Sequence, residues 1–300
     1  MERGPLRAEL EIRLTLPLPA ALSADRRRRV GRAACPVVTR VRLHAGVDRV
    51  EISTRFLNRA RDHRLRVRFP DRTGDPSRVR AQSAFGVVER PARPTWDERW
   101  YEQPHLTEHT GGGLRAGELC VMTRGLPEYE AIPRPGGGTD LAITLLRAIG
   151  WLSRADLATR PYVAGPLVEV PEAQGLGERR CEYAIGVRGA AGDAALVRAT
   201  EDWRFDPADG PGRIDLQGVL DVRGERFACT TLKAAEDRDG VILRLYNPGS
   251  DPGFAEIGGA VAAVERCRLD ETGGDPVAGR VALGPYEIVT LRVRPAPAAR

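Results

Sequence analysis

The chain has 300 residues, of which 42% are apolar, so it is long enough for two folded domains with buried cores. Glycine (33) and proline (23) recur along the chain, which favours many turns over long helices. The net charge of +5 comes from 46 basic residues interleaved with 41 acidic ones, so no nucleic-acid partner is expected.

The five cysteines argue against a disulfide framework and against a zinc knuckle. They are odd in number, far apart and without a C-x-x-C motif: Cys35, Cys120, Cys181, Cys229 and Cys267. No apolar run approaches membrane-spanning length, and the N-terminus has no charged-then-apolar signal pattern. The sequence therefore predicts a cytoplasmic protein with no membrane partner.

Alternating apolar and polar residues predict many strands. In the first of them, Leu6, Ala8, Leu10, Ile12, Leu14 and Leu16 alternate with charged residues and threonine, which predicts a long strand with one buried face. The same period recurs at residues 50–56, 65–69, 141–145, 241–245 and 288–293. The connections are too short for crossover helices, so the pairing is expected to be antiparallel.

The fold class follows from this pattern. Helical periodicity is scarce, and the best candidate is residues 191–203, which could also be a glycine-punctuated loop. Turn residues cluster at Asp206–Arg213. We predict an all-β protein with a large antiparallel β-sandwich at residues 1–208 and a smaller C-terminal β-sandwich at residues 209–300.

Catalytic motifs are hard to find in this chain. His105 and His109 are four residues apart, but proline and glycine flank them, so a surface loop fits better than a metal site. Glu128 and Glu130 are two residues apart, which suits exposed carboxylates on a strand better than an acid–base pair. No G-x-S-x-G elbow and no phosphate-binding loop is present. We therefore expect no metal and no cofactor in this chain.

A charged segment links two predicted strands at residues 58–66, N-R-A-R-D-H-R-L-R. Asn and Asp in turns commonly bond the local backbone. We interpret Asn58, Asp62, His63 and Arg64 as a structural network that ties the two strands together, in preference to a ligand site.

Five segments, in order, carry a resemblance to a known family. They are N-R-A-R-D-H-R-L-R-V-R-F-P at 58–70, R-G-L-P-E-Y-E at 124–130, T-L-L-R-A-I-G-W-L-S-R at 144–154, A-G-P with P-E-A-Q within 164–174, and L-K-A-A-E-D-R-D-G-V-I-L-R-L-Y-N at 232–247. With them the chain resembles the C-terminal β-sandwich region of the glycoside hydrolase family 38 α-mannosidases, in the bacterial branch.

The resemblance implies that the chain is a supporting part of an enzyme and not its catalytic domain. Family members are retaining mannosidases whose zinc ligands and aspartate nucleophile lie in an α/β barrel, followed by a helical bundle and then β-sandwiches. No segment of this chain corresponds to the barrel. The expected partners are therefore the barrel and helical domains of the same enzyme, with zinc in the missing catalytic domain and no turnover by the chain alone.

The same resemblance suggests which residues face the sugar cleft. Aromatic faces and bidentate polar groups are typical of sugar sites. Glu128, Tyr129, Arg147 and Trp151 are the candidates, with a core or interdomain role as the alternative for Tyr129 and Trp151. A stand-alone carbohydrate-binding module that takes a mannoside or oligosaccharide is a second hypothesis. A non-binding fragment with an exposed apolar patch, prone to self-association, is a third.

Overall fold

A computed structural model describes residues 1–71, 77–135, 138–157, 159–186, 192–205 and 220–296. The chain divides into two compact units. The first unit consists of Met1–Ala81 and Glu89–Gly189, and the second of Gln82–Val88 and Ala190–Arg300. The predicted boundary at Asp206–Arg213 lies outside the described residues.

The elements from the N-terminus to residue 186 are almost all strands. They are β1 Glu2–Arg3, β2 Arg7–Leu18, β3 Ala21–Leu22, β4 Arg29–Val30, β5 Ala33–His44, β6 Arg49–Asn58, β7 Arg64–Asp71, β8 Arg78–Ser83, β9 Gly86–Pro91, β10 Thr107–His109, β11 Gly113–Ala116, β12 Leu119–Arg124, β13 Glu128–Pro133, β14 Thr139–Arg147, the 3₁₀ helix Pro171–Gln174 and β15 Gly177–Gly186. The strands predicted from alternation at residues 50–56, 65–69 and 141–145 are confirmed as β6, β7 and β14.

Two antiparallel sheets organise these strands. The large sheet has the order β1-β2-β5-β6-β15-β12-β11-β8-β9, and the small sheet has the order β10-β13-β14-β7. Apolar side chains of both sheets form one buried core, in which Phe56, Leu114, Tyr129, Leu141 and Ile143 are at most 1% exposed. The predicted all-β sandwich architecture is confirmed.

The outer faces of both sheets carry paired charges. On the large sheet, Arg40 Nε donates to Glu11 across the β2–β5 pair at 2.8 Å. On the small sheet, Arg66 pairs with Glu130 across two strands. Period-2 alternation therefore sorts apolar side chains inward and charged ones outward, as expected for a sandwich.

β2 departs from this rule and corrects the sequence prediction. The strand forms and pairs with β5 along all twelve residues without a bulge. Its apolar face, however, is not buried, since Leu10, Ile12 and Leu14 remain 42–45% exposed. The small sheet has four strands against nine, so it covers only part of the large one. Leu16, farther along β2, packs against the core.

The second unit contains one helix and the remaining strands. They are α1 Asp193–Arg204, β16 Asp221–Glu225, β17 Ala228–Ala234, β18 Val241–Tyr246, β19 Gly253–Gly258, β20 Val261–Cys267, β21 Asp275–Pro276, β22 Arg280–Leu283 and β23 Ile288–Pro295. Sheets β16-β19-β22 and β17-β18-β23-β20-β21 enclose a core that includes Leu243, Leu245 and Leu291. The helical reading of residues 191–203 and the strands at 241–245 and 288–293 are confirmed.

Buried polar residues fix the turns of the second unit. Asn247, fully buried, donates to the carbonyls of Asp251 (2.7 Å) and Gly284 (3.0 Å) and accepts from the Gly249 amide (3.0 Å). Arg292, 6% exposed, donates to Asp237 at 2.7 Å and to two backbone carbonyls.

Lys233, the only lysine of the chain, lies on β17 and is also held by charge. Its ammonium contacts Glu271 at 2.8 Å and also pairs with Glu236. The hydrogen bond to Glu236, followed by that to Glu271, raises the pKa of the lysine above its ordinary value.

Candidate functional site

A hollow on the first unit brings together residues that the sequence separates by more than a hundred positions. Two adjoining cavities of about 390 and 510 Å³ form it. Both are lined by Leu22, Arg26, Asp62, Gly150, Trp151 and Arg154. Leu22 is the last residue of β3, Arg26 lies in the β3–β4 turn, Asp62 lies in the β6–β7 turn, and the others belong to the segment after β14.

Asn58, at the end of β6, is bonded to the segment that contains Gln174, a residue of the hollow. It is 1% exposed, and its Nδ2 donates to the carbonyls of Gln174 (3.1 Å) and Gly175 (3.2 Å). Its Oδ1 accepts from the Ala60 amide at 3.0 Å. All three bonds go to backbone groups, so Asn58 joins the end of β6 to the 3₁₀ helix.

Asp62 and Gln174 form a second link between the same segments. The Gln174 Nε2 donates to Asp62 Oδ1 at 2.7 Å, while Gln174 Oε1 accepts from the Asp62 amide at 2.8 Å. Asp62 has a φ of 54°, in the left-handed region, so this two-point contact fixes an otherwise unfavourable turn. Gly150 lies against the pair, since a Cβ there would meet Gln174 Nε2 at 2.9 Å.

His63 and Arg64, the other members of the predicted network, lie beside these residues. The His63 carbonyl accepts from the Ala148 amide at 2.8 Å, and its half-buried ring has a pKa lowered mainly by desolvation. Arg64 contacts Glu128 at 3.5 Å. The four residues of the segment thus lie together at the junction of β6 and β7.

Trp151 forms the wall of the hollow. It pairs with Glu169 in an antiparallel bridge, reinforced by backbone bonds from Leu152 to Val168 (2.9 Å) and from Val170 to Gly150 (2.9 Å). The Arg154 guanidinium lies over the indole, 4.8 Å from the ring centroid. One indole face is therefore covered by a cation.

Ion pairs hold the rim of the hollow. Arg154 donates to Asp156 at 2.9 Å, and Arg26 of the β3–β4 turn pairs with the same carboxylate. The hydrogen bond from Arg154 lowers the pKa of Asp156. Asp156 is half exposed, so the pairing contributes little to stability but sets the positions of both guanidinium groups.

The loops that contribute to the lining of the hollow also expose large apolar side chains. We call residues 96–106, 148–157 and 159–170 the loop face. Tyr101 and Tyr162 are in contact with centroids 4.2 Å apart, and the Gln103 amide donates to the Thr159 carbonyl at 3.4 Å, so the loops lie together. Large exposed apolar side chains of the loop face are Trp96, Trp100, Tyr101, Leu106, Leu152, Leu157, Val163, Leu167 and Val168.

The structure places the four candidates for the sugar cleft in different environments. Arg147, exposed, and Trp151, half-buried, both line the hollow. Glu128 lies on the outer face of the small sheet, where it contacts Arg64 and accepts from Thr144 at 2.6 Å. Tyr129 is 1% exposed within the core, which excludes a direct sugar contact and leaves the core role considered from the sequence.

Several hollow residues were not predicted. Arg26, Arg154 and Asp156 form the rim, and Gln174 fixes the turn at Asp62. Gln174 belongs to the P-E-A-Q segment quoted from the sequence, but its partner is 112 residues away. Nothing in the local pattern identifies such a pair.

The site is suited to binding. Asp62 is held by Gln174, Asp156 is held by arginines, and an indole beside guanidinium groups offers stacking and bidentate hydrogen bonds. Within the described ranges no three His, Cys, Asp or Glu side chains are grouped to hold a metal, so these residues do not fit a zinc site.

No helix in the described part of the chain has the length and apolar character needed to span a bilayer.

Comparison with known proteins identifies similar sequences. Residues 226–291 match the model of the glycosyl hydrolases family 38 C-terminal beta sandwich domain. A protein of Halalkalibacterium halodurans named "Putative mannosylglycerate hydrolase" is 28% identical over 97% of this chain. The match covers 34% of that relative, so the chain spans about a third of the length of the curated protein it matches.

Solved structures share the fold over nearly the whole chain. An alpha-mannosidase from Enterococcus faecalis V583 superposes with a TM-score of 0.76 at 21% identity, covering 97% of this chain and 34% of that structure. A protein in the glycosyl hydrolase family 38 from Enterococcus faecalis gives a TM-score of 0.74 at 20% identity, with 97% and 35% covered.

Proposed function

We propose that this chain is the non-catalytic C-terminal β-sandwich part of an α-mannosidase-like enzyme of glycoside hydrolase family 38, the family whose C-terminal beta sandwich model matches residues 226–291. In this proposal it packs against a zinc-dependent catalytic barrel formed by residues other than these 300 and completes its sugar cleft. The observation that supports this proposal most directly is the extent of the matches. They include 97% of this chain but only about a third of each relative.

The loop face supports the packing part of the proposal. Its apolar side chains are numerous, Tyr101 is 80% exposed and Leu152 is 61% exposed. Soluble monomers rarely expose large contiguous apolar patches, and such patches mark interaction surfaces. We propose the loop face as the surface that meets the barrel, beside the hollow.

The hollow supports the cleft part of the proposal. Arg147 and Trp151 are proposed to face the sugar, with Glu128 at the end of the adjacent strand. The name of the Halalkalibacterium halodurans relative refers to mannosylglycerate, whose glycerate carries a carboxylate. The guanidinium groups of Arg147, Arg154 and Arg160 in this hollow suit such an anion, so a carboxylate-bearing mannoside is the proposed substrate class.

An activity assay tests this function. The chain is incubated with an aryl α-mannoside and zinc, alone and with a separately produced barrel-containing fragment of a family 38 enzyme. We expect no turnover by the chain alone and turnover by the mixture that falls when Trp151→Ala or Arg147→Ala is used. Leu232→Ala, on β17 and outside the hollow, is the matched control. Robust hydrolysis by the chain alone would refute the proposal.

A stand-alone carbohydrate-binding module is the second candidate, favoured by the hollow itself. An indole, several arginines and a cavity of about 390 Å³ are of the size and chemistry that take a sugar. Calorimetry with mannose and mannosylglycerate decides between the two. Saturable heat that Trp151→Ala abolishes supports the module, and no heat at millimolar sugar rejects it.

A further inference from the structure

The guanidinium groups of the hollow differ in whether a carboxylate of the chain holds them. Those that line the cavity of about 390 Å³ belong to Arg26, Arg147, Arg154 and Arg160. A guanidinium that is already paired with a carboxylate has fewer donors and less charge left for a ligand than one that is not. The pairing within the hollow therefore decides which of these arginines can bind an anion.

Asp156 holds two of the four. Arg154 donates to it through Nε at 2.9 Å and through Nη2 at 3.2 Å, and Arg26 pairs with the same carboxylate. The Arg154 guanidinium also lies over the Trp151 ring. Arg26 and Arg154 are therefore occupied by the protein itself, and they shape the rim.

Arg147 and Arg160 have no such partner. In the part of the chain that the structure describes, neither has a carboxylate at ion-pair distance. The Arg160 guanidinium makes one hydrogen bond, from Nη2 to Ser153 Oγ, and at 3.5 Å it is a long one. Both positive charges are thus left without a balancing group at close range.

The carboxylates that line the cavity are directed to other groups. Asp62 is held by its glutamine partner at 2.7 Å. Glu102 lies 3.7 Å from the His105 imidazole and accepts from the Tyr162 hydroxyl at 3.5 Å. With Asp156, three carboxylates therefore face four guanidinium groups, so a further negative charge suits the hollow.

The backbone fixes Arg160 in place. Its amide donates to the Leu157 carbonyl at 3.1 Å, and the two residues form an antiparallel bridge. The side chain is half-buried, so its charge is partly removed from water without a carboxylate to compensate. An anion bound there offsets that cost, and the planar fork of the guanidinium matches the two oxygens of a carboxylate.

We infer that Arg160, assisted by Arg147, binds the carboxylate of the ligand and is the residue that distinguishes a carboxylate-bearing mannoside from a neutral one. The inference rests on the proposed function for the class of ligand. It narrows the anion contact to the two arginines that the chain leaves unpaired, and it assigns Arg26 and Arg154 to the rim.

Calorimetry of the full chain tests this assignment, with sodium glycerate as the probe and glycerol as its neutral analogue. We expect saturable binding of glycerate and none of glycerol. Arg160→Gln should weaken glycerate binding about tenfold, because a hydrogen-bonded charge pair is lost. Arg160→Lys keeps the charge but not the fork, so its affinity should lie between the two. Arg147→Gln should also weaken binding, by a smaller factor.

Arg154→Gln is the matched control, since it makes the same change at another guanidinium of the same cavity. It should weaken glycerate binding by less than about threefold, because that charge is already paired. Urea midpoints report whether each variant is folded. If Arg160→Gln is not, Arg160→Lys and Arg147→Gln decide, and unchanged affinity in both overturns the inference.

Three other results would also overturn it: no saturable binding of glycerate, an Arg160→Gln variant that binds as tightly as the unaltered chain, or an equal loss from Arg154→Gln. Glycerate binding is measured without a barrel. A mixture that fails to turn over the aryl mannoside therefore refutes the proposed function, whereas these affinities refute only the assignment of Arg160.

Discussion

Asn58 offers a direct test of how the hollow is held. Its amide makes three hydrogen bonds, all to backbone groups, at 3.0–3.2 Å, and the side chain is 1% exposed. Asn58→Ala removes all three bonds and leaves the Gln174 and Gly175 carbonyls and the Ala60 amide without this partner. At about 1 kcal/mol for each bond, the free energy of unfolding of the first unit should fall by about 3 kcal/mol.

Asn58→Asp sharpens the test because it keeps the shape of the side chain. A carboxylate oxygen then replaces Nδ2 and faces two carbonyl oxygens, so the loss at pH 7 should exceed that of Asn58→Ala. Burial raises the folded-state pKa of the new carboxyl above its unfolded value, so the folded state binds the extra proton. The stability of this variant should therefore rise, relative to Asn58→Ala, as the pH falls from 7 toward about 4.

Urea unfolding followed by tryptophan fluorescence provides the measurement. Trp96, Trp100 and Trp151 lie in the first unit and Trp203 in the second. Asn247→Ala is the matched control, since Asn247 makes the same three kinds of bond within the second unit and should weaken that unit alone. A loss below about 0.5 kcal/mol for Asn58→Ala, or an Asn58→Asp variant that is more stable at pH 7 than at pH 5, would contradict the reasoning.

Three further changes probe other parts of the chain. Burial lowers the pKa of His63 below its ordinary value of 6.5, so the unfolded chain binds the proton more readily than the folded chain. The free energy of unfolding should therefore fall as the pH drops below 6.5. The urea midpoint of His63→Gln should not show this part of the pH dependence. Gly224 has a φ of 134°, and a Cβ there would lie 2.2 Å from the Phe254 carbonyl oxygen. Gly224→Ala should therefore lower the thermal midpoint by far more than Gly273→Ala, because the space around Gly273 is open. Equal midpoints for the two variants would refute this steric argument. Arg292→Met leaves buried carbonyls unpaired and should cost the second unit about 3 kcal/mol in urea, an effect that a near-neutral result would rule out.

The strands were predictable because alternation is a local property. β2, β6, β14 and β18 all follow from period-2 patterns, and the pattern also places Tyr129 on the opposite face from Glu128 and Glu130. That signal was enough to assign Tyr129 to the core rather than to the sugar.

The remaining features depend on contacts that are distant in sequence. Whether the apolar face of β2 is buried depends on how far the small sheet extends, which no property of residues 6–16 records. The pairing of Gln174 with Asp62 spans 112 positions, and the joint position of Arg26 and Arg154 spans 128. Burial and site assembly are therefore set by tertiary packing rather than by local pattern.

The single lysine of the chain has a practical consequence. Amine-reactive reagents have one side-chain target within these 300 residues, Lys233, which lies on the second unit. The carboxylates around Lys233 raise its pKa and keep its amine protonated, so it reacts more slowly than a free lysine near neutral pH. Labelling at higher pH therefore attaches a fluorophore to the second unit at one defined side chain.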